Sequence, residues 1–273
     1  MIDLTPADLS PEQIREQDRL FWRGVTISVA FTVVLWLIEW AHRVFSLDLK
    51  PLAVVPGEWS GLLGVLTSPL VHGGAEHLAA NSVGIIMLGT LMLYRYPKAS
   101  VIALPVIWLC AGLGTWLIGR PSFHIGASGL THGFMFFLFL AGLIRRDRLA
   151  IAAMLASMLF FGGMFFTILP REAGVSFEAH LSGAIGGLIA ALITLKLDPA
   201  PPRRKYSWEI EEELEQELRR MEQDMLEPPR PPSVNPIWDG PRAIREKLQG
   251  EAPGQVIEFR RRPRGDSDEP TKH

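Results

Sequence analysis

Charged residues are scarce between Phe21 and Leu197, and the apolar residues there gather into six runs, at about 21–45, 77–95, 99–118, 127–144, 149–169 and 177–197. "VTISVAFTVVLWLIEW" and "LTHGFMFFLFLAGLI" show how unbroken these runs are. A helix of about 20 apolar residues crosses the roughly 30 Å of hydrocarbon in a bilayer. In lipid, each backbone N–H and C=O must find its partner inside the protein, which leaves helices as the solution for such runs. The pattern therefore predicts an all-α membrane protein built as a bundle of six transmembrane helices. The first run is read as a retained span: its apolar core is long, the residues before it are acidic and polar, and no small-residue cleavage site follows.

The flanking segments differ in character. Residues 1–20 form a polar N-terminal segment, with Ser10 before Pro11 marking a helix start. Residues 46–76 form a long connection containing Pro51, Pro56 and Pro69, in which "WSGLLGVLTSPLV" is too short and broken to span. A connection of that length beside a bundle is usually functional or interfacial. The membrane domain is expected over 21–197 and a tail over 198–273. In the tail, "SWEIEEELEQELRRMEQDMLE" predicts an acidic amphipathic helix at about 207–227, followed by a Pro-rich, disordered stretch. That helix reads as a solvated element docking weakly, with a partner-binding role as the alternative.

Basic residues place the chain in the membrane. Arg15, Arg19 and Arg23 precede the first run, Arg95 and Lys98 follow the second, Arg145, Arg146 and Arg148 follow the fourth, and Lys196, Arg203, Arg204 and Lys205 follow the sixth. The intervening loops hold only Arg43, Lys50, Arg120 and Arg171. Positive residues stay inside, so both termini are expected in the cytoplasm, and runs two, four and six start at the outer side. A bacterial inner membrane suits this arrangement. The net charge of −2 over 273 residues averages a membrane core with a soluble tail and adds little. There is no basic footprint for nucleic acid. Cys110, the sole cysteine, excludes an intrachain disulfide and a cysteine metal cage.

Polar side chains inside spans are costly and mark candidate sites. Three runs begin with such groups: "HGGAEHLAANSVG" in the second, "HIGASGLTHG" in the fourth and "FEAHLSGAIGG" in the sixth. All three starts lie on the outer side, which brings His77, Asn81, Ser128 and His180 to one depth. His77 and Asn81, four apart, share a helical face. His180, Gly183 and Gly187 share another, and Gly126, Gly129 and Gly133 offer a complementary small surface near Ser128. Helices that close would allow a Ser–His hydrogen bond. Each feature has a plainer explanation: glycines around a serine pack helices, a histidine near a helix end serves the interface, and an asparagine ties helices together. Their coincidence on three helices favours chemistry.

"HGGAEHLAAN", "GASG" and "AHLSGAIGG", in that order, resemble the rhomboid family of intramembrane serine proteases across about residues 20–197. The resemblance implies a rhomboid-like bundle in which Ser128 is the nucleophile and His180 the general base. It assigns His77 and Asn81, with the backbone N–H of the nucleophile, to the oxyanion hole, and Gly126, Gly183 and His132 to supporting places. His72 matches a frequent loop histidine, read as structural. The implied partners are transmembrane protein substrates and the lipid bilayer, with no cofactor and no metal. Glu178 and Glu76 lack a spacing that would orient His180, so a dyad is expected. Two departures stand out. No Trp-Arg pair precedes "LLGVLTSPLVH", although Trp59 lies upstream. His132 occupies a position where family members often carry a stacked aromatic ring, and spacing alone does not choose between His132 and His180 as proton acceptor. The resemblance implies that the fifth run, with "FFGGMFFTILP", is a mobile side wall for substrate entry; tight packing at Gly162-Gly163 is the alternative. "AEHLAAN" is not the His-Glu-x-x-His pattern of zinc peptidases. The alternative function is a non-catalytic rhomboid-like protein that binds membrane helices.

Overall fold

A computed structural model describes residues 11–170, 174–194, 196–198 and 207–226. The chain divides into two compact units, residues 1–204 and 205–273. In the first unit the long helices are α1 (Pro11–Phe45), α2 (Ala75–Arg95), α3 (Ala99–Ile118), α4 (Ser128–Arg145), α5 (Arg148–Phe161) and α6 (Phe177–Thr194). Among the described residues there is no strand, only an isolated bridge between Val54 and His124.

All of these helices except α5 are long and apolar enough to cross a membrane. The fifth expected span is cut short. After 14 helical residues, α5 gives way at Gly162 and Gly163 to 3₁₀-type bonds and a separate turn, Met164–Thr167. Glycine is about 1 kcal/mol worse than alanine in a helix. A Cβ on Gly163 would meet nothing within 4 Å, so packing does not explain that residue; the pair breaks the helix. At the other end of the chain, the polar stretch beginning at Pro11 runs into the first span as one continuous helix. Pro11 opens it, as a proline fits a first turn whose N–H groups are unpaired anyway. The expected Ser10 cap lies outside the described residues.

In the bundle, α6 packs against both α3 and α4, α1 lies along α2, and α5 leans on α4. The core runs down α4 through residues such as Phe134, Met135, Phe137 and Leu138, all buried. Val101 and Leu117 on α3 and Leu159 and Phe160 on α5 are exposed, as side chains that face acyl chains would be. Glycines allow the closest crossings. A Cβ on Gly183 would fall on the backbone carbonyl of Gly129, and one on Gly187 on that of Gly133. The small faces expected on α4 and α6 are thus in contact.

Polar anchors hold the helix ends. Asp147 caps α5 by accepting the Ala150 N–H at 2.9 Å, and it receives Arg95 through both carboxylate oxygens at 2.7 and 2.8 Å. Burial raises its pKa, but the Arg95 hydrogen bond, the Ala150 amide and the Arg145 charge together outweigh that and hold it below the usual carboxylate range. A group depressed in the folded state stabilises at pH above its unfolded value and ceases to do so as pH falls through the folded one. Asp147→Ala should therefore lower stability in detergent by about 2 kcal/mol at pH 7, with the difference from wild type shrinking in acid. At the start of α3, Asp198 accepts the N–H groups of Lys98 and Ala99 at 3.1 and 2.8 Å.

The connection between α1 and α2 folds into short turns at Lys50–Leu52, Trp59–Leu62, Gly64–Thr67 and Ser68–Leu70. Where a Trp-Arg pair is missing, Trp116 of α3 does the holding: its Nε1 donates to Glu58 O at 2.8 Å, and its ring meets Trp59 at 6.3 Å. In the second unit, α7 (Ser207–Leu226) is the acidic helix, with Trp208, Ile210, Leu214, Leu218 and Met221 exposed. The Pro-rich stretch expected after it lies outside the described residues.

Candidate active site

Ser128 is the first residue of α4, where the leading N–H groups of a helix have no partner within it. The approach is made by Gly126, whose φ of +110° is a conformation that only glycine adopts without strain. A side chain there would also strike the His77 ring, with Cε1 2.5 Å from the would-be Cβ. Two contacts fix this strand of backbone: Gly126 N–H donates to Ser68 O at 2.9 Å, and Ala127 N–H donates to His72 Nε2 at 3.2 Å. Burial, aided by the nearby His77, brings the His72 pKa down to about 4, so its ring is neutral and free to accept.

His180 lies in the first turn of α6, opposite Ser128 across the glycine crossing. Its Nε2 is 2.9 Å from Ser128 Oγ, and its Nδ1 is 3.0 Å from the carbonyl oxygen of Thr167. A carbonyl can only accept, so Nδ1 carries the proton and Nε2 offers its lone pair to the serine hydroxyl. His132, one turn along α4, uses both nitrogens elsewhere: Nδ1 donates to Ser128 O at 2.7 Å, and Nε2 pairs with Thr167 Oγ1 at 2.8 Å. Between the two imidazoles, only that of His180 reaches Ser128 Oγ. The rings of His132 and His180 stack, with centroids 3.9 Å apart and planes at 11°.

A cavity of about 1010 Å³ opens over this pair and is lined by His77, Asn81, Ser128, His132, Thr167 and His180 among others. The starts of α2, α4 and α6 thus share one site. Asn81 is 6% exposed, and its Nδ2 is buried with no hydrogen-bond partner. A buried donor left unpaired costs about 1–3 kcal/mol, and this one belongs to the lining of the cavity that also holds Ser128 Oγ. Glu178 turns away from His180 and pairs with Arg120 at 2.7 Å. No set of three His, Cys, Asp or Glu side chains suited to a metal occurs among the described residues.

The sequence from residue 58 to 197 matches the model of the Rhomboid domain. The chain belongs to the rhomboid family. With its apolar helices, this rhomboid is a multi-pass integral membrane protein. It is similar to an uncharacterized protein of Mycobacterium tuberculosis, 36% identical over 179 residues, which cover 62% of this chain and 75% of that protein. An uncharacterized protein of Mycobacterium bovis gives the same values. One from Mycobacterium leprae is 33% identical over 189 residues, covering 64% and 73%.

Three participants in the rhomboid's site receive no role from the sequence pattern. Thr167 contributes a main-chain carbonyl, which leaves no trace in residue type. His124 is bound by Ser176 at 2.6 Å and Arg120 O at 2.9 Å, fastening the loop before α4 to the start of α6. Arg120 anchors Glu178; a single basic residue in an otherwise uncharged loop was the available sign.

Proposed function

We propose that this rhomboid is an intramembrane serine endopeptidase that cuts transmembrane or membrane-adjacent segments of other membrane proteins. The observation that carries the reading is the 2.9 Å contact between Ser128 Oγ and the unprotonated Nε2 of His180. Ser128 Oγ attacks the scissile carbonyl carbon while its proton passes to His180 Nε2. The oxyanion that forms is met by the Ser128 N–H, Asn81 Nδ2 and the His77 ring. As the C–N bond breaks, His180 returns the proton to the departing amine, leaving an acyl-enzyme on Ser128. Water, deprotonated by His180, then releases the second product. No third ionised residue is needed, because the Thr167 carbonyl already fixes the tautomer of His180. The site faces the outer side of a bacterial inner membrane, with both termini in the cytoplasm.

The test is cleavage of a fluorescently tagged single-span substrate by the purified protein in detergent. Product from wild type that disappears with Ser128→Ala supports proteolysis. No product across a panel of substrates, together with no labelling of Ser128 by a fluorophosphonate, would leave the helix-binding alternative. Within the same assay, Asn81→Ala should lower kcat by about 10²–10³ with little change in KM. Because Asn81 Nδ2 has no partner to lose, thermal stability should move by less than about 1 kcal/mol.

A further inference from the structure

The hydrogen bonds around the dyad close into a ring of four links. Ser128 Oγ joins His180 Nε2 at 2.9 Å, His180 Nδ1 joins Thr167 O at 3.0 Å, Thr167 Oγ1 joins His132 Nε2 at 2.8 Å, and His132 Nδ1 returns to Ser128 O at 2.7 Å. Directions follow from chemistry. Both carbonyls accept, so each imidazole is protonated at Nδ1, and His132 Nε2 must receive the Thr167 hydroxyl proton. That hydroxyl also lies 3.2 Å from Met164 O, a longer and weaker choice. Stacking at 3.9 Å holds the His180 ring in the plane that both of its bonds require.

Thr167 does not belong to any of the helices that carry Ser128, His180 or His132. It ends the short turn Met164–Thr167 beyond the Gly162–Gly163 break, and nothing lies within 4 Å of a Cβ placed on Gly163. This segment reaches the bundle through Met164, Phe165 and Ile168, which pack on the core, the Phe165 ring meeting Phe136 and Phe139 at 4.6 and 5.2 Å, and through the polar links of Thr167.

We infer that Thr167 and His132 are positioning residues: the Thr167 carbonyl orients His180 as a carboxylate does in a triad, and His132 clamps Thr167 in place. The inference rests on the proteolytic reading above. It makes the segment after α5 part of the catalytic assembly, since the acceptor that orients His180 Nδ1 is the Thr167 carbonyl.

The experiment uses the full chain in detergent and reads two quantities: the rate at which a fluorophosphonate labels Ser128, and kcat and KM on a single-span substrate. Thr167→Val removes the hydroxyl and keeps the shape and the carbonyl; labelling and kcat should fall at least about tenfold, with KM within about twofold. Thr167→Ser restores the link and should recover both rates to within about threefold of wild type. His132→Phe keeps a stacking ring and removes both links, so it should match Thr167→Val, and the double variant should be little worse than either. Should Thr167→Val fail to fold, His132→Phe and Thr167→Ser still read the circuit. The inference is overturned by Thr167→Val rates within threefold of wild type, by a loss that serine does not recover, or by a loss confined to KM. In that case an active wild type and a dead Ser128→Ala leave the proteolytic reading standing; a wild type that neither labels nor cleaves overturns both.

Discussion

Cleavage should fall by the same large factor, about 10⁴ or more, in Ser128→Ala, in His180→Ala and in the variant carrying both. Groups that act as one unit are not additive: a serine without its base is a poor nucleophile, and a base without the serine has no proton to take. In this protein the unit is compact. Ser128 Oγ has His180 Nε2 at 2.9 Å, while both nitrogens of His132 are already spent on Ser128 O and Thr167. The His132 imidazole is therefore not placed to substitute for that of His180. Single-turnover cleavage in proteoliposomes, where substrate and enzyme share a bilayer, separates this chemical loss from changes in encounter. A His180→Ala variant that retained activity within tenfold of wild type would transfer the role of base to another group, and the dyad would be the wrong account.

The second large effect is on folding. Gly183→Ala adds one methyl, yet that methyl would occupy the position of the Gly129 carbonyl, main chain against main chain. No rotamer relieves such a clash; α4 and α6 must separate. The cost should be about 3 kcal/mol, seen as a lower midpoint of thermal unfolding followed by helical circular dichroism in detergent. Any molecules that still fold should cleave at least about 10²-fold more slowly, because Ser128 and His180 ride on the two helices that are pushed apart. Gly163→Ala is the control. It meets nothing within 4 Å, and should leave the midpoint unchanged or slightly raised by better helix propensity. Equal midpoints for the two variants would mean that the glycine crossing does not limit the approach of the helices.

How much of this was legible in the sequence depends on what each residue contributes. Spans announce themselves by side-chain chemistry, so α3 begins and ends at the expected residues 99 and 118. The positions of Ser128, His180, His77 and Asn81 stand out because polar groups are rare in apolar runs. The fifth span misleads because hydropathy sums over "FFGGMFF" as though the glycines were neutral, whereas they end the helix at Phe161. The continuity of α1 was equally hidden: a change from polar to apolar residues alters the surroundings of a helix without interrupting its hydrogen bonds. Thr167 is invisible for a deeper reason, since every residue has a carbonyl and only the fold decides which one meets His180 Nδ1. Spacing alone does not separate His132 from His180; the family resemblance favours His180, and the distances show that it is the His180 ring that touches Ser128 Oγ.

The carboxylate of Asp198 has a bearing on where this membrane protein stops. It sits one residue past the stretch that matches the Rhomboid domain, which closes at Leu197, and it is 6% exposed while satisfying two amides at the head of α3. Among the described residues of the first unit, the last is therefore one whose side chain reaches back a hundred positions in sequence. A border drawn by similarity severs that latch, and the architecture is complete only when the acid beyond it is counted in.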